Sequence, residues 1–221
     1  MTDFITKNGK VIPLRNGRGG GRKSAGVVVA GAVALAMGTG GVTSISGLGA
    51  PETASSLRLG PRKAEGQQAA RMGDPDAAWQ RMGMRQLRRT ARQQAECVAV
   101  SFGEIREFFT RTRCTSLDRV LFAVTDGAGN TAVISVVWVG LPTAGDARRF
   151  ESVMTRHGSG DIHPLGSHLL DLGDIRFTGL RYGSERDGKT VTVAEAETAT
   201  GQVDHDTLDA LAEVAAHLPR V

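Results

Sequence analysis

The sequence predicts an α+β fold with an N-terminal transmembrane helix, a stalk helix, and one antiparallel-sheet domain whose helices pack on one face. Three observations lead to this prediction. An uncharged run of 26 residues occupies positions 25–50, and apolar residues at helical spacing follow over 75–96. The remaining chain alternates β-branched runs with amphipathic helical patterns in the order ββα-ββα, which is typical of an antiparallel sheet with packed helices.

Charge is divided unevenly along the chain. Residues 1–24 carry six Lys or Arg and one acidic group, whereas residues 97–221 carry 12 basic and 17 acidic groups. The overall pI near 9.5 therefore reflects the N-terminal part, and the C-terminal domain is mildly acidic. A basic tail of this kind is explained by membrane topology, so we predict no nucleic-acid partner.

The uncharged run is long enough to cross a membrane. As a helix it would extend about 39 Å, and a bilayer core is about 30 Å thick. Basic residues are denser before it than after it, which places the N-terminus in the cytoplasm. We therefore predict a basic cytoplasmic tail at 1–24 and a single-pass signal anchor at 25–50, with the rest of the chain outside the cell membrane. Cleavage of a signal peptide followed by secretion, or burial of the run in a soluble protein, remains an alternative.

Two segments connect this span to the domain. Residues 51–74 are rich in Pro, Gly, Ser, Ala and Gln, which predicts a flexible linker. Asp74 and Pro75 form a helix start, and we expect a stalk helix over 75–96. One face of that helix would be basic, either simply solvated or in contact with anionic lipid headgroups or an acidic envelope polymer. The residues of this face are Arg81, Arg85, Arg88, Arg89 and Arg92.

The domain at 75–221 follows from turn and capping signals. Ser101 and Glu104 fit a capping box that opens a short helix over 102–112. Runs rich in β-branched residues predict strands at 118–126, 131–141, 174–182 and 189–198, with GSERDG as the turn of the second hairpin. Thr143 and an acidic pair at 204 and 206 mark the starts of two further helices, the second of which would span 204–218.

The chain has two cysteines, Cys97 and Cys114, with 16 residues between them. This spacing is neither a CxxC redox motif nor half of a four-Cys zinc site. Outside the membrane an even number of cysteines predicts a disulfide, which requires Cα atoms within about 7 Å of each other. Loop-closure entropy gives such a ring a contribution of roughly 3 kcal/mol.

A Gly- and Pro-rich loop at 157–171 contains the candidate metal ligands. His157, His163, His168 and Asp161 offer the imidazole and carboxylate donors that zinc or copper takes, but their spacing matches no metal motif. Ser159 and Ser167 stand beside histidines without a GxSxG elbow. We read the segment as an ordinary loop and predict no catalytic residue, cofactor or metal.

An acidic pair, Glu195 and Glu197, lies at alternating strand positions. Both side chains should therefore point to one face of the sheet. We expect that face to be in contact with water. Acid–base chemistry by this pair is the alternative.

The Ala, Gly, Arg and Val bias and three stretches point to one resemblance. With TRCTSLDRVLFAV, VVWVGLPTAGDARRF and RHGSGD, residues 75–221 resemble membrane-tethered extracytoplasmic proteins of high-GC Gram-positive bacteria. The resemblance implies a domain outside the membrane behind one N-terminal span, and it carries no catalytic residues.

We therefore expect a non-catalytic, membrane-anchored binding or interaction domain of the cell envelope. Its expected partners are the membrane through residues 25–50, and an envelope protein or polymer. The alternative is an extracytoplasmic hydrolase or metal-dependent enzyme that uses the 157–171 loop.

Overall fold

A computed structural model describes residues 4–7, 10–13 and 52–220. The chain divides into two compact units, residues 1–50 and 51–221. In the first unit, β1 (Phe4–Lys7) and β2 (Lys10–Pro13) pair as an antiparallel hairpin. The predicted span at 25–50 lies outside the described residues. No helix among the described residues combines the length and apolar character needed to cross a bilayer.

The second unit contains one six-stranded sheet in which every pairing is antiparallel. The spatial order is β3-β5-β6-β8-β7, and β4 also pairs with β5. Its strands are β3 (Arg85–Arg89), β4 (Gln93–Gln94), β5 (Ser116–Thr125), β6 (Thr131–Gly140), β7 (Tyr182–Asp187) and β8 (Thr190–Thr200). The α+β class with an antiparallel sheet is confirmed, and pairing of β6 with β8 joins the two hairpins into one sheet.

Five helices of this unit accompany the sheet: α1 (Glu52–Arg71), α2 (Pro75–Arg81), α3 (Gly103–Arg111), α4 (Ala144–Met154) and α5 (His205–Ala215). A short 3-10 helix spans Ser167–Leu170. Three predicted helix starts are confirmed, because the side chain of each N-cap residue accepts a hydrogen bond from a backbone N–H of the first turn. Asp74 accepts from Ala77 at 2.9 Å, Thr143 from Asp146 at 3.0 Å, and Asp204 from Thr207 at 2.9 Å.

Helices cover both faces of the sheet, so the prediction of helices on one face is wrong. The first face packs against α1, α2 and α5 through a core that includes Phe122, Trp138 and Leu211. The second face packs against α3 and α4, and farther along against the segment 165–177. Every residue of β6 is buried. Because both faces of β6 are buried, other elements must pack against both faces of the sheet.

The predicted stalk helix at 75–96 is wrong, because the helix ends after two turns. Gly83 adopts a left-handed φ of 76°; its N–H bonds to the Gln80 carbonyl at 3.0 Å, and that of Met84 to the Trp79 carbonyl at 2.8 Å. This pair of bonds is the Schellman motif, which terminates a helix at glycine. The chain then continues as the edge strand β3.

The arginines assigned to one face of that helix are consequently dispersed. Arg81 lies 3.4 Å from Glu65, Arg88 contacts Asp171, and Arg89 sits over the Phe122 ring at 5.3 Å. The helical face on which the expected lipid contact depended does not form. Contact of Arg81, Arg85, Arg88, Arg89 and Arg92 with lipid stays a prediction.

The predicted flexible linker at 51–74 is also wrong, because α1 occupies most of it. Ala70 is fully buried, and a Cβ on Gly66 would lie 3.1 Å from Val214 Cγ2. Lys63 Nζ lies 2.5 Å from Glu213 Oε2. Small side chains let α1 approach α5 closely, so the helix is anchored without the large apolar residues that mark most buried helices.

The first strand of the second hairpin lies later in the chain than predicted. Strand β7 begins at Tyr182, and the predicted turn residues GSERD form the strand itself. Gly183 explains this position, since a Cβ there would lie 2.5 Å from the Ala212 carbonyl oxygen of α5. Only glycine permits that approach of strand to helix. Residues 174–181 are instead loop against the second face.

Residues 218–220 are bonded to residues of the sheet by a hydrogen bond and an ion pair. The indole N–H of Trp138 donates to the Leu218 carbonyl at 2.8 Å. Arg220 Nε lies 2.6 Å from Asp118 Oδ2, and Arg92 Nε lies 3.5 Å from Oδ1 of the same carboxylate. Because Asp118 is fully buried, these two guanidinium groups supply the opposite charge that a buried carboxylate requires.

Candidate functional site

The segment around α3 is closed by a disulfide. Cys97 and Cys114 are joined, with their Cα atoms 6.4 Å apart, and this prediction is confirmed. The capping box at Ser101 is wrong: Phe102 occupies the N-cap position, and the Ser101 hydroxyl donates to the Cys97 carbonyl at 2.5 Å. The ring therefore holds α3 as a unit against the second face of the sheet.

A groove of about 760 Å³ runs between α3 and α4. Its base is formed by Phe108 and Val153, beneath which Phe109 and Phe150 stack with their ring centroids 5.3 Å apart. This aromatic contact is the reason that the two helices lie side by side, since both buried rings belong to the same core. The groove is open to solvent along its length, so it suits an extended segment better than an enclosed small molecule.

The walls of the groove are charged and predominantly basic. Four arginines and two glutamates line it: Arg111, Arg148, Arg149, Arg156, Glu104 and Glu107. Arg156 Nη2 lies 2.6 Å from Glu104 Oε2 and so bridges the two helices, while Arg111 pairs with Glu107 at 3.3 Å. Arg149 contacts Asp146. Within the described part of the chain, Arg148 has no such carboxylate partner, and its side chain is exposed.

A buried carboxyl group, that of Glu195, lies on the second face of the sheet. Glu195 of β8 is only 7% exposed, with Ser135 and Tyr182 opposite it on the neighbouring strands. Burial, followed by the neighbouring carboxyl of Asp161, raises the pKa of Glu195 to about 10. Burial also raises the pKa of Tyr182, and the nearby charge of Asp161 adds to that increase. The site therefore favours the protonated form of Glu195.

This position of Glu195 corrects the expectation that its face of the sheet is in contact with water. Glu195 and Glu197 do share one face, as the strand period requires. Glu197 accepts hydrogen bonds from the Thr178 N–H at 3.1 Å and the Thr178 hydroxyl at 2.5 Å. The loop that carries Thr178 covers this part of the sheet.

Asp161 belongs to a loop that is clamped to the start of α3. Three backbone bonds form the clamp: Phe102 N–H to the Asp161 carbonyl at 2.9 Å, Glu104 N–H to the Ser159 carbonyl at 2.6 Å, and His163 N–H to the Val100 carbonyl at 2.7 Å. Gly160 has a φ of 108°, and a Cβ there would lie 2.2 Å from the Phe102 carbonyl oxygen. The second glycine of RHGSGD, Gly160, therefore allows a close backbone contact that a side chain would prevent.

The candidate metal ligands are spread along this loop. His157 and His168 are exposed, and the His163 ring lies on Phe102 with centroids 4.8 Å apart. The Asp161 carboxylate accepts a hydrogen bond from the Ile162 N–H at 2.6 Å. Throughout the ranges that the structure describes, no three His, Cys, Asp or Glu side chains are grouped so as to hold a metal ion. A metal-dependent mechanism through this loop gains no support from the geometry.

The two loop serines have structural partners. The buried Ser159 hydroxyl donates to the Val153 carbonyl at 2.8 Å. The buried Ser167 hydroxyl donates to the Gly173 carbonyl at 2.7 Å and accepts from the Ile175 N–H at 3.2 Å. A nucleophilic serine needs a base within reach of its hydroxyl. Both hydroxyls instead fix the turns of this loop.

No protein-family model, curated protein or solved structure matches the chain. The candidate function therefore rests on the groove between α3 and α4. Sequence reasoning missed the groove arginines, since only tertiary structure brings α3 beside α4. A signal for Glu195 was present, because strand period places it on the same face as Val191 and Val193.

Proposed function

We propose that this chain is a non-catalytic binding module of the cell envelope, tethered through residues 25–50, that takes an acidic segment of a partner protein in the groove between α3 and α4. The observation that carries the proposal is the set of four arginines above an apolar base, one on α3, two on α4 and one, Arg156, just beyond the end of α4. Arginine binds carboxylates through two parallel hydrogen bonds and is enriched at interfaces.

The mixed lining favours a protein segment over a uniform polyanion. Phe108 and Val153 offer apolar contact that a phosphate or sugar-acid polymer would leave unused. An amphipathic acidic peptide satisfies both parts of the groove, as in recognition of a helix by a hydrophobic groove. Arg148 is the strongest candidate for the contact because its charge is not already engaged.

The test uses the full chain and a fluorescent amphipathic peptide of glutamate and leucine, with binding followed by anisotropy. Arg148→Glu should weaken binding about tenfold, equivalent to about 1.4 kcal/mol, because it replaces attraction by repulsion. The matched control is Arg85→Glu, an equal change of charge at an exposed position on β3. Affinity should also fall as the salt concentration rises.

Two results would contradict the proposal. One is equal weakening by Arg148→Glu and Arg85→Glu, which would indicate a general charge effect. The other is tighter binding of poly-glutamate than of the amphipathic peptide, which would favour a polyanion and leave the apolar base without a role.

The tether is tested separately. Membrane fractionation combined with protease treatment of intact cells should find the full chain in the membrane fraction, with residues 52–220 digested from outside. A chain recovered in the soluble fraction, or protected until the cells are lysed, would reject the membrane-anchored extracytoplasmic location.

A further inference from the structure

The groove between α3 and α4 has two ends that differ in structure. Arg156 Nη2 lies 2.6 Å from Glu104 Oε2, and the Phe108 and Phe150 ring centroids lie 5.7 Å apart. A step forward along α3, from Glu104 to Phe108, therefore corresponds to a step backward along α4, so the two helices are antiparallel. The bridged end of the groove joins the start of α3 to the end of α4, and its basic end joins the end of α3 to the start of α4.

Charge is balanced at the bridged end and is in excess at the basic end. The single ion pair at the bridged end contains one arginine and one glutamate. Three arginines line the groove toward the basic end: Arg111, Arg148 and Arg149. Arg111 pairs with Glu107, and Arg149 contacts Asp146. Arg148 has no carboxylate partner among the residues that the structure describes, so its positive charge is available to a ligand at this end only.

The distance between the two ends sets the length of the segment that fits. Glu104 and Arg111 are two helical turns apart on α3, which is about 10 Å. Phe108 and Val153 lie between them. At the basic end a Cβ on Gly145 would lie 3.9 Å from Arg148 Nη2, so the glycine leaves open the space beside this guanidinium. A carboxylate can therefore reach Arg148 from within the groove.

We propose that the groove fixes the direction of its bound segment. The segment is a two-turn amphipathic helix with an acidic C-terminal turn at the basic end and an uncharged N-terminal turn at the bridged end. The C-terminal end of a helix carries partial negative charge, so this direction also places the negative end of the ligand beside Arg148. The reverse direction would place the acidic turn over Glu104. This inference rests on the proposed function and adds the direction of the partner and the position of its acidic residues.

Two peptides of identical composition test the direction. Both have blocked ends and leucines at the same positions; glutamates fill the last turn of one, the C-acid peptide, and the first turn of the other, the N-acid peptide. Anisotropy titrations at low salt give the affinity of each for the full chain. The reference is Arg148→Gln, because any difference in the helicity of the free peptides affects both proteins equally. The ratio of affinities should favour the C-acid peptide about fivefold more in the wild type than in Arg148→Gln, as expected for a few exposed ion pairs.

The matched control is Arg85→Gln, the same change of charge at an exposed position on β3. It lies outside the groove lining, so the ratio of the two affinities should equal that of the wild type. A ratio altered equally by Arg85→Gln and Arg148→Gln would overturn the direction, because it would reflect net charge alone.

A spin label locates the bound peptide independently of affinity. A nitroxide at the C-terminal end of the C-acid peptide should broaden the amide NMR signal of Gly145 more than that of Glu104. A nitroxide at the N-terminal end should have the opposite effect. Because paramagnetic broadening falls steeply with distance, the separation between the ends of the groove is sufficient to distinguish them.

The outcomes separate the two proposals. If both peptides bind but Arg148→Gln leaves the ratio of their affinities unchanged, or if either label broadens both amides equally or in the reverse order, the direction is wrong and the proposed function stands. If neither peptide binds, the proposed function fails, and the direction fails with it.

Discussion

The two faces of the sheet are covered in different ways. The first face meets α1, α2 and α5 through apolar side chains, and a buried carboxylate, Asp118, is paired there with two arginines. The second face meets α3, α4 and a loop, and it holds the disulfide together with the buried Glu195. The first face therefore relies on apolar packing and one compensated ion cluster, whereas the second also relies on a covalent link.

The largest expected effect tests the first face. Phe122 is fully buried, and its ring lies between Arg89 and the Trp79 ring, 5.5 Å away. Phe122→Ala should lower the free energy of unfolding by about 3–5 kcal/mol, because the surrounding side chains cannot close the cavity. Urea denaturation measures this change. Leu87→Ala, on the exposed part of the neighbouring strand, should stay within about 0.5 kcal/mol, and a similar loss in both variants would contradict the assignment of the core.

The next effect tests whether the second face depends on its covalent link. Replacing both cysteines by serine should lower the free energy of unfolding by about 3 kcal/mol, since the ring limits the unfolded chain. The same urea titration measures it, with the wild type under reducing conditions as the matched comparison. Because α1, α2 and α5 pack on the first face and the ring packs on the second, amides of the ring should lose more protection than amides on the first face. Equal loss on both faces would show that the faces are not independent.

The smallest effect concerns pH. In the folded chain the pKa of Glu195 is raised, so folding favours the protonated form; this contribution is complete below the ordinary carboxyl pKa and is lost as the pH rises toward about 10. Stability should therefore fall as the pH rises through that interval. Glu195→Gln should flatten the dependence, as measured by urea titrations across the interval. An unchanged slope would mean that Glu195 is ionised in the folded chain.

Local patterns predicted the strands better than the packing. The dense β-branched runs of β5 and β6 and the N-caps Asp74, Thr143 and Asp204 are properties of short segments, and they appear nearly where expected. The failure at α1 has a tertiary cause, whereas the failure at Gly83 is local, because that glycine terminates the helix. Gly66 and Ala70 are residue types common in linkers, and only their contact with α5 shows that they belong to a packed helix. Met84 and Leu87 have helical spacing, but Gly83 ends the helix before them.

The candidate site was less predictable than the fold. The disulfide followed from cysteine count and the expected compartment, but the groove needs α3 and α4 side by side, and no local pattern encodes that contact. Glu195 was assigned to the water-exposed face because its charge was given more weight than its position. Two apolar residues on the same strand face, Val191 and Val193, were the better guide.

The contact between α1 and α5 has a consequence for how a nascent chain acquires this fold. Strands β5, β6 and β8 expose the apolar side chains of the first face before α5 has been synthesised, and α1, made long before, lacks its contact with α5 until then. Contacts between segments so distant in the chain form slowly. During that interval Phe122, Ile134 and Trp138 remain open to other chains, so chaperone binding and aggregation during synthesis should concentrate on this face.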